Sequence, residues 1–529
     1  MQQQSTQHQF IIFADQPKIN TRVARQNLSE HEAAWMENLQ PIAGNRLKIV
    51  PAPLPVPTAV LPGKTVSRMF HAALLADPLD PTGPLIDYTI FFATDGSGTA
   101  IDATTGAVIP FAPPGTFSLV PDMTTWSDER ILIIDPLAGY CSWDGVTFIQ
   151  GVTATRGTTI AVHRGRVWIA NRRTLTWTGT AGFADTDPLN AAGFTQIQDA
   201  DLVHEITALR ALNNFLYIFG DSSIKQIGDI AIQNPPAGTV GISTTIFQIV
   251  TLASDIGTWF MMTIISYNRL VVFANKQGVY WIAGASVKKV SDDLDGIFQN
   301  IDWSQEPCAA VADISNNHCY LLLVRYIDKD NDQVFGVQPQ QAPLTRSLIL
   351  VLQTSAWWTA QQGMNLISIC SMPLQATEEI EVYGSSGSDI TWLLDDEEGE
   401  VQFILKTALS AHNNIIVAKR CIRAGIALSA EVPQRMTFEI VSENQTNSYT
   451  LEAARDITWR NDDHDTIDFK NDSGETLYFM TAPGFKLPFT SADSYGHVLG
   501  ANAFAKSKLL SINSVNIEYS DADLWGIPP

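Results

Sequence analysis

Tyr267-NRLVVFANKQGVYWIAG, ending at Gly284, decides the fold. A polar turn leads into a short alternating apolar strand, a second turn follows, and then another strand. The same shape restarts in Asp128-ERILIIDPLAGYCSWDG, His163-RGRVWIANRRTLTWTG, Ala211-LNNFLYIFGDSSIKQIG, Asn316-NHCYLLLVRYID and Glu378-EIEVYGSSGSDITWLLDD. Divergent repeats spaced about one four-stranded sheet apart are the signature of a β-propeller. Six visible segments predict an all-β, six-bladed propeller. A blade assembled from both ends of the chain would escape that count. The hairpin of Tyr88-TIFFATDGSGTAIDATTGAVIPF is assigned to the same blade as the Asp128 segment.

Working outward, the propeller is expected over 66–405. Residues 1–65 form an arm: the Ser29/Glu32 spacing of a capping box, with AAWMENL after it, predicts a short helix. Leu47-Lys48-Ile49-Val50 fits one strand, and Pro51, Pro53, Pro55, Pro57 and Pro62 make a stiff spacer or an arm lying on a surface. Residues 292–304 fit a short helical insert between blades, and 333–343 an exposed Gln- and Pro-rich loop. After Asp395-Asp396-Glu397-Glu398 the strands lengthen. Arg435-MTFEIV, Tyr449-TLEA, Asp465-TIDFK, Glu475-TLYFM and Leu509-LSINSVNIEYS predict a C-terminal antiparallel domain, sandwich or barrel, over 406–529.

The net charge is −22, and the first 85 residues contribute +1 of it. Such a chain lacks the clustered Lys and Arg that neutralise phosphates, yet like charge lets it surround a polyanion without holding it. Acidity for solubility alone is the plainer reading. The charged fraction of 17% is low for a chain with 13 Trp, 12 Tyr and 24 Phe, which fits either a large β core or surface buried against partners. Cys141, Cys308, Cys319, Cys370 and Cys421 are scattered, so neither a disulfide framework nor a zinc site is expected. The polar start MQQQSTQHQ has no secretory pattern, and Trp259-FMMTIISYNRLVVFA reads as two strands with a turn, so no membrane insertion is expected.

Motifs for chemistry are weak. Pro62-Gly63-Lys64-Thr65 ends like a P-loop, but Thr58 stands where its first glycine belongs. His31-Glu32 and His204-Glu205 begin like HExxH and continue with Trp35 and Ala208. Gly384-Ser385-Ser386-Gly387-Ser388 and Gly96-Ser97-Gly98 fit hairpin tips. The acidic runs 395–398 and 462–465 fit solvated turns better than calcium loops or a glycosidase pair. A sialidase-like propeller needs converging arginines, for which Arg269, Arg325 and Arg346 are candidates. Trp143, Trp168, Trp177, Trp281, Trp357, Trp358 and Trp392 suit either a glycan groove or blade-to-blade packing. No catalytic, cofactor-binding or metal-ligating residue is assigned.

In architecture the chain resembles the tail nozzle proteins of short-tailed bacteriophages, also termed tail hub or packaged-DNA stabilisation proteins. The resemblance is carried by Leu28-SEHEAAWMENLQPIAGNRLKIVPAP, by Phe215-LYIFGDSSIKQIGDI with its Phe219-Gly220-Asp221-Ser222-Ser223-Ile224 core, and by Ile517-Glu518-Tyr519 followed by Asp523-Leu524-Trp525. It implies a non-enzymatic virion protein, assembled in the host cytoplasm as a homo-oligomer, commonly a hexamer. The ring would surround the DNA channel, meet the tail adaptor ring and the tail spike or fibre proteins, and retain and then release the genome without specific DNA binding. A monomeric glycan-binding or glycan-cleaving propeller is the alternative. An intracellular interaction propeller is disfavoured because the regular GH…WD repeat is missing.

Overall fold

The computed structural model describes residues 7–12, 17–23, 27–29, 32–42, 46–56, 63–77, 80–118, 121–198, 204–235, 242–326, 345–373, 379–409, 419–430, 434–442, 446–453, 459–460, 466–467, 469–470, 476–477, 485–488, 497–507 and 510–521. Alternating apolar strands joined by tight turns build seven four-stranded antiparallel units around one axis, a β-propeller. Blade 1 spans 66–112, blade 2 122–150, blade 3 159–196, blade 4 206–253, blade 5 265–289 and blade 6 308–360. Blade 7 takes three strands from 368–396 and its fourth from Ala52–Pro55. The turns are those the sequence signals: Asn213 and Asn214 both have positive φ (50° and 66°), the backbone of a type I′ hairpin.

The count is therefore seven blades rather than six. The Tyr88 hairpin is no partner of the Asp128 segment: its strands Leu85–Ala93 and Gly98–Asp102 pair with Val66–Leu75 and Val108–Ala112 as a blade of their own. Blade 7 is the one shared between chain ends. Leu54 lies opposite Trp392 and Pro55 opposite Thr391, and the Val56 N–H donates to Ile390 O at 3.0 Å. Prolines at 51, 53 and 55 suit an outermost strand, where one N–H row has no partner to lose.

The arm holds a second departure from expectation. Ser29 and Glu32 do meet, Ser29 N–H donating to Glu32 Oε2 at 3.0 Å, but Glu32–Glu37 is a strand. It lies between the outer strand of blade 6, Trp357–Ala360, and Glu400–Thr407. Both its faces are covered, so Ala33, Trp35 and Met36 are all buried, and sheet packing overrides helical propensity. Beyond it Val498–Lys506, Gln434–Val441 and Thr446–Ala453 extend one continuous ten-stranded sheet out of blade 6.

A facing sheet runs Leu39–Ile42, Arg46–Ile49, Leu510–Asp521, Lys419–Ala430, Phe485–Pro488, with Gln7–Ile12 also on Leu510–Asp521. The two sheets enclose Leu47, Ile49, Phe403, Leu405, Ile426, Phe438 and Ile517 in a core continuous with blade 6. Both expected boundaries, 65/66 and 405/406, are thus crossed by paired strands. The insert after blade 5 is a 3-10 turn, Asp292–Leu294, running into the short helix Asp295–Phe298. Residues 333–343, 462–465 and 523–525 lie outside the described residues.

Candidate functional site

The first strand of each blade faces the axis, and inward side chains meet there. Arg68 of blade 1 donates to Pro121 O at 3.1 Å and reaches Glu306 at 3.2 Å, across the ring before blade 6. Arg210 of blade 4 pairs with Asp122 of blade 2 at 3.2 Å. Asp122 also accepts from Thr159 Oγ1 at 2.6 Å and from the Ile160 N–H at 3.1 Å, and so joins three blades. Arg68 and Asp122 are buried, while their partners Glu306 and Arg210 reach toward solvent, so each pair is only half enclosed. Beside these pairs lies a cavity of about 290 Å³, lined by Met69, Met123, Met261, Met262, His71 and Arg210 among others. The inner strands are thus linked by these side chains, and the cavity lies among them.

The sequence candidates do not gather. Arg325 and Arg346 sit on the two middle strands of blade 6, opposite Thr345 and Val324, and point to opposite faces. Arg346 is buried against Glu37 at 3.0 Å, and Arg325 lies 3.5 Å from Asp302. Arg269 is exposed in the first turn of blade 5. Lys64 of the P-loop-like stretch pairs with Asp95 at 3.2 Å and donates to Ser97 at 2.8 Å, tying down the Gly96-Ser97-Gly98 hairpin tip. Ser385 donates to Gly387 O at 3.0 Å within its own turn. Asp395 closes a strand end, where burial and the neighbouring Asp396 and Glu397 hold its carboxyl above the usual range.

His204 pairs with Asp221 at 2.8 Å on the rim between blades 3 and 4. All five cysteines are free and buried. Burial pushes Cys141 up to about 11 and Cys308, Cys319, Cys370 and Cys421 to about 12. Among the described residues, no group of three or more His, Cys, Asp or Glu is placed to hold a metal ion, and no helix is long and apolar enough to cross a membrane.

The site that sequence reasoning missed lies on the flank of blades 3 and 4. The outer hairpin of blade 4, Ile224–Gln233 and Thr244–Ala253, overhangs the short outer strand of blade 3, Gly193–Gln196. Between them runs a groove of about 690 Å³ lined by Trp177, Phe194, Ile242, Ile246, Phe247 and Ile249 with small neighbours, and by no charged side chain. Its floor is rigid. Phe247 meets Trp168 and Trp177 edge-to-face at 5.4 and 5.1 Å.

Ala191 O collects Trp177 Nε1 at 3.1 Å, Thr245 Oγ1 at 2.7 Å and Arg166 at 2.9 Å. Ala191 has φ 63°, which turns its carbonyl into that position at the end of the turn Pro188–Asn190. The rim is open: Phe194 is 74% exposed, Leu189 63% and Ile242 59%. Tryptophans 143, 168, 177, 357 and 358 are buried packing residues, so the aromatic that faces solvent here is Phe194. One signal was legible: Thr244-TIFQIVTLA is ten residues rich in β-branched and apolar side chains without a charge or a proline.

No protein-family model matches the chain, and no curated protein resembles it in sequence. Among solved structures it is similar to the crystal structure of RRP9 WD40 repeats, at 12% identity and TM-score 0.36, covering 65% of this chain and 99% of that one. It is also similar to the structure of U3-55K, at 11% identity and TM-score 0.34, covering 63% of this chain and 96% of that one.

Proposed function

We propose that this chain is a structural virion protein of a bacteriophage tail, a nozzle or hub. Copies assemble into a ring, commonly of six, around the DNA channel, meet the tail adaptor ring and the spike or fibre proteins, and retain and then release the genome. The observation that carries this reading is the uncharged apolar groove on the flank of a chain whose net charge is −22. Open apolar surface of this kind marks an interaction site, and copies so acidic repel one another wherever charged faces meet.

Contact through an uncharged flank leaves the carboxylates for the surfaces that face solvent and DNA. A wall of one negative sign adds no phosphate contacts and lets a duplex slide. In this reading the channel runs between copies, and the contacts of Arg68 and Arg210 between inner strands are consistent with that. No residue is asked to do chemistry: the function lies in subunit geometry and in an opening step.

Light scattering of the purified chain at rising ionic strength tests the reading. Because the association opposes like charge, mass should climb from 58.0 kDa toward a closed ring as salt screens the copies. A mass of one copy at every salt concentration, together with turnover of sialosides or polysaccharides, would overturn it.

A further inference from the structure

The outer strands of propeller blades are open sheet edges, and six of the seven here are blocked. Blade 1 ends in Val108–Ala112, with Pro110 in the strand and a register shift beside it. Blade 2 ends in three residues, Phe148–Gln150, and blade 3 in four, Gly193–Gln196. Blade 5 ends in Ser286–Lys289, with Lys288 and Lys289. Blade 6 is covered by Glu32–Glu37, and blade 7 ends in a strand containing Pro53 and Pro55. Proline, short length, lysine and a covering strand are the recognised means of keeping an edge from pairing with another chain.

Blade 4 uses none of them. Its outer strand Thr244–Ala253 has ten residues, no proline and no charge, and Ile246 (48%) and Val250 (43%) are exposed. At the central bulge Gln248 faces two residues of the inner strand, Gly228 and Asp229, and the one residue extra on the outer strand, Leu252, lies near its end, so Thr244–Thr251 stays continuous at the edge. Among the described residues no strand pairs with that edge.

We infer that Thr244–Ala253 is a contact between two copies of this chain, paired antiparallel with itself across a two-fold axis at Gln248. A second copy offers the same open strand and no other among its propeller's outer strands. The strip is also where two chains of net charge −22 meet without bringing charges together. Register follows from the side-chain alternation. Setting Gln248 opposite its own symmetry mate puts Ile246 opposite Val250 of the second copy, both pairs on the exposed face. A slip of one residue turns exposed side chains against buried ones. The result is one eight-stranded sheet made of two fourth blades. An isologous contact closes at two copies, so it is distinct from the head-to-tail contacts of a ring.

Engineered cysteines in the full-length protein read the contact directly. A self-opposed pair lies about 4.5–5.5 Å apart in Cα, within disulfide reach. Gln248→Cys should give, under mild oxidation, a reducible dimer of about twice the 58.0 kDa chain, whereas the wild type, with five buried cysteines, gives none. Ile246→Cys mixed with Val250→Cys should cross-link at least tenfold more than either variant alone. Adding Ile246→Lys to Gln248→Cys should abolish the dimer while light scattering and circular dichroism still report a folded protein. Cross-linking that ignores register, that survives the lysine, or that fails for Gln248→Cys in folded protein overturns the pairing. A ring seen without this disulfide would leave the nozzle reading intact, and the disulfide without a ring would leave only the pairing.

Discussion

Glu37 and Arg346 show how single residues bind the propeller to the domain beside it. The carboxylate accepts from Arg346 Nε at 3.0 Å and from Trp35 Nε1 at 3.2 Å, and the guanidinium lies 5.1 Å from the Tyr326 ring centre. Both charged side chains are buried, so removing one strands the other. Glu37→Ala should cost about 3–5 kcal/mol in urea unfolding, while replacing both by hydrophobic residues of similar volume should recover most of that loss. An additive double variant would contradict the account. Burial also holds His71 below its ordinary 6.5 although Asp87 sits 3.0 Å away, and it does the same to His163 beside Arg164. Both imidazoles bind more protons unfolded than folded. Stability from this source is complete above pH 6.5 and is lost as pH falls through 6.5 toward the lower folded values. The melting temperature should therefore drop between pH 7.5 and 5.5, and His71→Phe should flatten the drop. Thiol reagents should label no cysteine in native protein and five in urea, since the thiolate is the reactive form and burial opposes it.

Among the elements, the closing strand Ala52–Pro55 decides whether the ring of blades is shut. Leu54→Asp would set a carboxylate beside Trp392 and near the acidic strand end at Asp395 and Asp396. We expect a loss of about 1–2 kcal/mol and faster hydrogen exchange in Ile380–Ser385 and Ile390–Asp396 before any other blade. Uniform exchange across blades would mean that the strand does not close the ring. The central strands of each blade were legible because short alternating runs between Asn-Asn, Asp-Gly and Arg-Gly turns admit little else. The sequence count falls one short because the Tyr88 hairpin, read with the Asp128 segment, is a blade of its own. Blade 7 shows in the sequence at Glu378, and only its fourth strand is hidden, ahead of the first blade and inside a proline run. Glu32–Glu37 misled for another reason: its capping pair forms, but AAWME is flanked on both edges by strands distant in sequence. The groove was hardest to see. Its wall combines Phe194 with Ile242–Ile249, and no local pattern says that two blades' outer strands diverge there.

At the scale of the whole molecule, the sheet that leaves blade 6 makes propeller and C-terminal sandwich one hydrogen-bonded body. A ring built from such bodies presents rigid walls. The acidity and the uncharged flank bear on one question, whether copies gather around a channel. Electron microscopy of the purified protein, with two-dimensional class averages, asks it directly. The account predicts closed rings, six-fold by the resemblance, with an axial hole between copies and the groove of blades 3 and 4 covered. Single 58.0 kDa toroids with that groove open, from protein that turns over a glycan, would contradict it.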